Sequence, residues 1–200
     1  KYEEKIVAEG NVFFEDQKKK ISIKGDKILY LKTEGKFNIY TNVVYIDDEQ
    51  KFTVLSESIE YLKNLEKTVA TGNVKLNSSS QNVIIKSEKI TYEKNRNEFY
   101  TEGLTEANIK SKYLFNSRDV NFNKNEMRLF SKKKTTIKDD NNSFYELSKF
   151  DYHIENELLK AENLTVIRNS NLTVNENDRY FFESGFFDLK NNNFTTGPTK

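Results

Sequence analysis

The chain has 200 residues, of which 36% are hydrophobic and 32% are charged, and its formal net charge is +1. Because neither charge sign is in excess, the composition does not favour nucleic acid as a partner, and we expect none. The absence of cysteine removes any disulfide evidence about the compartment, and no apolar run reaches the roughly 18 residues that indicate a membrane helix.

The hydrophobic pattern alternates along most of the chain, which is typical of β-strands with one buried face. The alternation begins at Ala8, Gly10, Val12 and Phe14 and recurs in each following segment. Polar turns rich in Asn, Lys and Asp separate the segments, and no segment carries a sustained helical stripe. We therefore predict an all-β protein made of antiparallel strands of roughly ten residues.

A short sequence word divides the chain into repeats. The last residues of its successive copies lie 31, 31, 30 and 60 residues apart. The copies are Ala8–Val12, Tyr40–Val43, Ala70–Val74, Thr101–Leu104 and Ala161–Leu164. The double step predicts a degenerate copy near Lys134. The glycines Gly10, Gly72 and Gly103 predict a bend or bulge in their strands.

A second word keeps the same spacing and consists of a small residue, an aliphatic or aromatic anchor and a later aromatic. Its anchors are Ile28, Ile59, Ile90, Val120 and Phe150. The longer step from Phe150 to Phe186 predicts an insertion within residues 169–179. A fixed period in this range indicates a repeat architecture, here with two strands in each unit of about 31 residues. We expect one domain over residues 1–200, with further protein sequence after Lys200.

Residues typical of catalysis or metal binding are sparse. The one histidine, His153, lies on the outward side of a predicted strand, and without cysteine no Ser-His-Asp or Cys-His triad is supported. The acidic pairs Asp47-Asp48 and Asp139-Asp140 lack the spacing and mid-loop glycine of a calcium loop, so we interpret both as solvated turns. The sequence therefore predicts a protein that is not an enzyme and has no catalytic residue, metal or cofactor.

The two phased words carry a resemblance to a known family. Ala-Glu-Gly-Asn-Val, followed about sixteen residues later by Ile-x-Tyr, resembles the OstA-like β-jellyroll repeat of the lipopolysaccharide-transport proteins. The resemblance covers roughly residues 1–165. By length the chain looks most like the periplasmic N-terminal domain of LptD, and a soluble LptA-like bridge with extra repeats is the alternative. The resemblance implies an open, V-shaped antiparallel jellyroll in the periplasm or outer membrane of a Gram-negative bacterium.

In this family the sheet walls enclose a hydrophobic groove that conducts acyl chains, so the resemblance implies lipopolysaccharide as the ligand. The candidates for lipid contact are the inward residues of the alternation, although any sandwich also needs such residues as ordinary core. They are Val12, Phe14, Ile21, Ile23, Ile28, Tyr30, Phe37, Ile39, Val43, Tyr61, Val74, Ile85, Tyr92, Phe122 and Tyr152. Phe14, Phe37 and Tyr45 are the better candidates because wide aromatic rings near an opening can reach a lipid.

The resemblance also implies protein partners. Residues 1–14 form the predicted edge that receives another, LptA-like β-jellyroll by strand addition. An outer-membrane barrel after Lys200, with an LptE-like lipoprotein plug, completes the implied assembly.

Two other classes of protein are consistent with parts of the pattern. A ligand-free structural β-solenoid or adhesin-like repeat predicts a parallel coil with a filled interior. A carbohydrate-active β protein needs an inward pair of carboxylates, which the alternation lacks.

Overall fold

The computed structural model of the chain describes residues 4–168, 178–191 and 193–196. Within these ranges the chain forms sixteen β-strands and a 3-10 turn at Ser79–Gln81, with no α-helix. No helix there is long and apolar enough to cross a membrane. Every strand pair recorded for these residues is antiparallel. The predicted all-β antiparallel fold class is therefore confirmed.

The chain divides into two compact units, Lys1–Gly103 (unit 1) and Leu104–Lys200 (unit 2). The expectation of a single domain over residues 1–200 stays a prediction.

Unit 1 is a meander in which each strand pairs with the next strand along the chain. Its strands have 11 or 12 residues and are joined by polar turns. They are β1 (Lys5–Asp16), β2 (Ile21–Leu31), β3 (Lys36–Asp47), β4 (Phe52–Leu62), β5 (Lys67–Ser78), β6 (Val83–Glu93) and β7 (Glu98–Ile109), which ends in unit 2. Two strands and two turns fill each repeat, as the sequence predicts.

Bulges interrupt the strands of unit 1 near their middles, where the first word lies. Gly10 in β1 and Gly72 in β5 have φ of 84° and 82°, a backbone geometry that glycine adopts without steric cost. The pairing register shifts across both sites, so the predicted bulges at Gly10 and Gly72 are confirmed. Gly103 has nearly the same φ, 83°. Thr41 occupies the equivalent position in β3 with φ of 64°.

The small residue of the second word lies beside the bulge of a neighbouring strand. In unit 1 the Ser87 hydroxyl donates to the carbonyl oxygen of Glu102 at 3.2 Å. At Gly25 there is no room for a side chain, because a Cβ would lie 2.5 Å from Cγ2 of Ile39. The two words are therefore two sides of one contact between strands, which explains why they share a spacing.

The strand halves on either side of the bulges form two layers in unit 1. Layer A contains the halves that meet at turns 17–20, 48–51 and 79–82, and layer B those that meet at turns 32–35, 63–66 and 94–97. Phe14 of layer A contacts Phe37 of layer B with ring centroids 4.3 Å apart, although β1 and β3 are not paired. The hydrophobic core of unit 1 thus lies between its layers.

Unit 2 continues the strand spacing in shorter pieces. Its strands are β8 (Tyr113–Arg118), β9 (Asn121–Asn123), β10 (Arg128–Ser131), β11 (Thr135–Asp139), β12 (Phe144–Leu147), β13 (Lys149–His153), β14 (Leu158–Arg168), β15 (Asp178–Asp188) and β16 (Asn193–Thr196). Strands β12 and β13 both pair with β14, which also pairs with β15. Phe115 on β8 contacts Phe150 and Tyr152 on β13 across the interior, at 5.3 and 5.1 Å.

The degenerate repeat predicted near Lys134 corresponds to a break between β10 and β11 at residues 132–134. Three consecutive lysines lie there in place of a glycine-containing word. The insertion predicted within residues 169–179 lies almost entirely outside the described residues.

Candidate hydrophobic ligand site

The pairing registers align the predicted site residues of unit 1 in rows across the strands. In layer A, Ile23 pairs with Tyr45. In layer B, Tyr30 pairs with Phe37, and Phe37 pairs with Tyr61. Because paired residues point to the same face of a sheet, each row forms a continuous apolar lining on the inner face of its layer.

Most of the predicted site residues are enclosed by other side chains. The twelve that are buried are Ile21, Ile23, Ile28, Phe37, Ile39, Val43, Tyr61, Val74, Ile85, Tyr92, Phe122 and Tyr152. Val12, Phe14 and Tyr30 are half-buried. These three lie on β1 and β2, so the interior of unit 1 is most accessible at its first two strands.

Aromatic rings fill the middle of unit 1. Phe52 of layer A contacts Tyr92 and Phe99 of layer B, with ring centroids 4.9 and 5.0 Å apart. These edge-to-face contacts add to the free energy gained from apolar burial. The layers are thus packed directly on each other at this level of the core.

Two buried tyrosines of unit 1 keep polar groups in this apolar interior. The Tyr61 hydroxyl has no hydrogen-bond partner among the residues that the structure describes. The Tyr45 hydroxyl lies near Thr68 but forms no hydrogen bond of good geometry. A buried hydroxyl without a partner costs about 1–3 kcal/mol. Burial, followed by the negative charge of nearby carboxylates, raises the pKa of both side chains well above that of a free tyrosine. Both hydroxyls therefore stay protonated and able to donate a hydrogen bond.

A series of polar side-chain pairs closes one rim of unit 1 above these tyrosines. We call this series the rim ladder; each pair joins a turn region of layer A to one of layer B. The pairs are Asp16–Lys63 at 3.0 Å and Lys19–Glu66, Asp47–Lys94 and Gln50–Asn97, each at 2.8 Å. The partners in each pair lie 47 residues apart in the chain.

The Asp47–Lys94 pair is the most deeply enclosed of the series. Asp47 is 0% exposed and Lys94 is 11% exposed. Burial opposes the charge on Lys94, but its hydrogen bonds to Asp47 and Glu49 outweigh this effect and raise its pKa. The interpretation of Asp47 as a solvated turn residue is therefore wrong. It is wrong for Asp139 as well, since that carboxylate is buried and accepts bonds from the backbone N–H groups of its own turn.

Unit 2 has a related charged group at one of its rims. The Glu157 carboxylate accepts hydrogen bonds from Lys112 Nζ at 2.8 Å, the Tyr113 hydroxyl at 2.9 Å and Lys110 Nζ at 3.2 Å. Burial opposes its charge, but these donors outweigh burial and lower the pKa of Glu157. Burial also raises the pKa of Tyr113 to about 12.

Unit 2 contains a cavity of about 110 Å³ near its last strands. It is lined mainly by aromatic and aliphatic side chains, together with the polar Asp188 and Asn193. The lining residues are Tyr145, Val166, Tyr180, Phe182, Phe187, Asp188, Leu189, Asn193 and Phe194. An apolar cavity of about 150 Å³ holds a benzene molecule, so this one fits a short piece of hydrocarbon.

Sequence reasoning did not assign the cavity or the rim ladder. The adjacent aromatic pairs Phe181-Phe182 and Phe186-Phe187 were a signal for the cavity. Asp16 and Asp47, two acidic residues that lie one repeat apart in the sequence, were a signal for the rim ladder. His153 is exposed on β13, and the described part of the chain holds no group of three or more His, Asp or Glu side chains that could bind a metal ion.

Taken together, the fold and the site define an antiparallel β-jellyroll fold in which each unit buries an apolar interior of its own. No family profile and no curated protein sequence matches the chain. Among solved structures it is similar to LptH of Pseudomonas aeruginosa, the LptA-homologous periplasmic component of the conserved lipopolysaccharide transport device. The TM-score is 0.50 and the sequence identity 14%, over 68% of this chain and 96% of LptH. At this identity the likeness establishes the fold.

Proposed function

We propose that the chain is a periplasmic lipopolysaccharide-transport domain of a Gram-negative bacterium. Its interior accepts acyl chains and passes them toward an outer-membrane translocon. The observation that carries the proposal is the apolar interior lined by rows of residues from successive strands, in a fold like that of LptH. LptH is itself described as a component of a lipopolysaccharide transport device.

Burial of hydrocarbon supplies the binding energy in this proposal. Each buried methylene contributes about 0.8 kcal/mol, so an acyl chain needs no charged partner to bind. Val12, Phe14 and Tyr30 are half-buried at the start of unit 1 and are the first of the predicted residues that a lipid meets. The cavity beside Phe187 and Phe194 is a second place for hydrocarbon, in unit 2.

Within the transport system, we propose the role of the N-terminal periplasmic domain of LptD. The chain is longer than the solved LptH chain, since the match covers 96% of that chain but 68% of this one. An LptA-like periplasmic bridge is supported equally well by the fold. The neighbouring coding sequence separates the two, because a continuation with many alternating strands of roughly ten residues predicts an outer-membrane barrel. An LptE-like lipoprotein plug would then be a further partner.

We propose that β1 is the edge that receives a partner jellyroll. In the described residues β1 pairs with β2 alone, and it exposes Ile6 and Val7. An exposed edge strand offers unpaired backbone groups to a strand from another protein.

The edge is tested with Val12→Pro, which removes one N–H from β1 and stiffens the strand. We expect the variant to stay folded and to lose co-purification with an LptA-type jellyroll. Val12→Thr, which keeps the N–H and the branched Cβ, is the matched control. Normal complex formation by a folded Val12→Pro variant would contradict the assignment.

Photocrosslinking tests the conduit itself. A benzophenone amino acid replaces Phe37 or Phe122, both inward and buried, and Leu55, which is 43% exposed, serves as the outward control. We expect crosslinks to lipopolysaccharide from the two inward positions and few from Leu55. Silence at both inward positions would favour the second candidate, a ligand-free structural scaffold. That candidate is supported by the tight ring packing around Phe52. A β-solenoid is not consistent with the fold, because the recorded strand pairs are antiparallel.

A further inference from the structure

The rim ladder spans a seam between the two layers of unit 1. Backbone hydrogen bonds between turns run within a layer: Asp48 N donates to Lys20 O in layer A, and Lys94 N donates to Glu66 O in layer B, both at 3.0 Å. The recorded links between the layers at this rim come from side chains instead, through Lys19, Lys63 and Lys94. Side-chain links can break and re-form without disrupting either sheet.

The residues beneath the seam indicate that its closed state leaves buried hydroxyl groups without good hydrogen bonds. The Tyr61 hydroxyl is buried without a described partner, and the Tyr45 hydroxyl lies near Thr68 without a hydrogen bond of good geometry. The carboxylates of the ladder lie close enough to act on both hydroxyls. Parting of the seam would admit a hydrogen-bonding group to each hydroxyl. The arrangement from the rim inward is charged pairs, then phenol hydroxyls, then hydrocarbon.

We propose that the rim ladder is a clasp, and that an acylated amphiphile enters unit 1 sideways when its pairs part. The hydrocarbon enters between the layers, the tyrosine hydroxyls donate to ester, amide or hydroxyl groups near the head of the chain, and the head group stays at the charged rim. This inference rests on the proposed function and adds the route by which the ligand enters.

The absence of cysteine makes the seam testable by a specific crosslink. Gln50→Cys and Asn97→Cys place one thiol on each side of the seam, at side chains that are 2.8 Å apart. A bismaleimide with a reducible spacer then joins them. Glu34→Cys with Asn64→Cys, on neighbouring turns of layer B, is the matched control within one layer. Entry is measured by stopped-flow fluorescence with the apolar dye N-phenylnaphthylamine and, separately, with fluorescently labelled lipopolysaccharide.

We expect the crosslink across the seam to slow dye entry by about tenfold or more, because open states are commonly populated at about 0.1–10%. Reduction of the spacer should restore the rate, and the control crosslink should leave it unchanged. An unchanged rate across the locked seam, or no dye entry into the free protein, would overturn the clasp. Dye entry that depends on the seam without binding of lipopolysaccharide would support the clasp and reject the proposed ligand.

A substitution in the ladder provides the opposite perturbation. Lys94→Met removes the cation from the buried Asp47 and should speed dye entry by roughly tenfold, since a buried charge without its partner disfavours the closed state. Lys89→Met removes the surface pair with Glu102, which does not cross the seam, and should change the rate little. Equal rates for the two variants would count against the clasp.

Discussion

Thr41 is predicted to be the weakest of the bulge positions in unit 1. It has φ of 64° where Gly10 and Gly72 have 84° and 82°. A left-handed backbone costs an L-residue about 1–2 kcal/mol, and a β-branched residue is a marked outlier there. The side chain of Thr41 is exposed, so its removal sacrifices little packing. Thr41→Gly therefore removes this strain energy. The greater freedom of glycine in the unfolded chain reduces the gain in stability by about 0.5–1 kcal/mol.

The expected net effect of Thr41→Gly is a stabilisation of about 0.5–1 kcal/mol. The reverse change, Gly72→Ala, introduces the strain and also places a Cβ 2.5 Å from Oε2 of Glu57. Displacement of that carboxylate breaks its 2.6 Å bond from Asn73 Nδ2, which adds about 0.5–1.5 kcal/mol. Gly103→Ala is the matched control, because its φ is 83° and nothing lies within 4 Å of its Cβ.

Urea unfolding followed by circular dichroism measures all three free energies of unfolding. The expected order of stability is Thr41→Gly above the parent protein, then Gly103→Ala, then Gly72→Ala. A destabilised Thr41→Gly variant would refute the assignment of strain to this site. Equal losses of unfolding free energy for the two alanine variants would show that the contact between Glu57 and the bulge at Gly72 contributes no stability.

The other predictions concern the core and pH. Phe52→Ala should lower the free energy of unfolding by about 3–5 kcal/mol, whereas the exposed Leu55→Ala should change it by no more than about 0.5 kcal/mol; a small loss for Phe52→Ala in urea unfolding would contradict close packing of the layers. The lowered pKa of Glu157, where bonds from Lys112 outweigh burial, contributes stability that is present at neutral pH and is lost as the pH falls below about 4. Glu157→Gln should flatten this acid limb of the stability profile, and an unchanged limb would show that the pairing contributes nothing.

The strand pattern was predictable because both of its determinants are local. Alternation places side chains on one face, and the polar turns recur at a constant spacing, so strands and turns follow from neighbouring residues alone. The turn at Lys110–Lys112 was not predicted, because its three residues, Ser111 and the two flanking lysines, include no glycine or asparagine. The bulge was also predictable, since Gly10 and Gly72 repeat where side chains favour an extended strand.

The state of the interior was not predictable, because alternation shows which residues point inward and not how far apart two layers lie. Phe37 and Ile39 fit a groove lining and a packed core equally well by pattern. The structure encloses both. The distance between the layers depends on ring contacts between non-adjacent strands, such as Phe14 with Phe37. A local sequence pattern does not show such contacts.

The rim ladder shows a geometric limit of the same kind. Positions one repeat apart lie in the same layer, and positions half a repeat apart lie in opposite layers, because each strand passes from one layer to the other at its bulge. Any odd number of half-repeats therefore brings two turns to opposite sides of the seam. The observed separation of 47 residues is three half-repeats, a number set by the stagger of the two layers. Once that stagger is known, the ion pairs can be predicted from the sequence, because Asp16 and Asp47 lie opposite Lys63 and Lys94. The next position in the acidic series is Ser78, whose hydroxyl bonds Gln81 within its own turn at 2.7 Å, so the acidic series ends there.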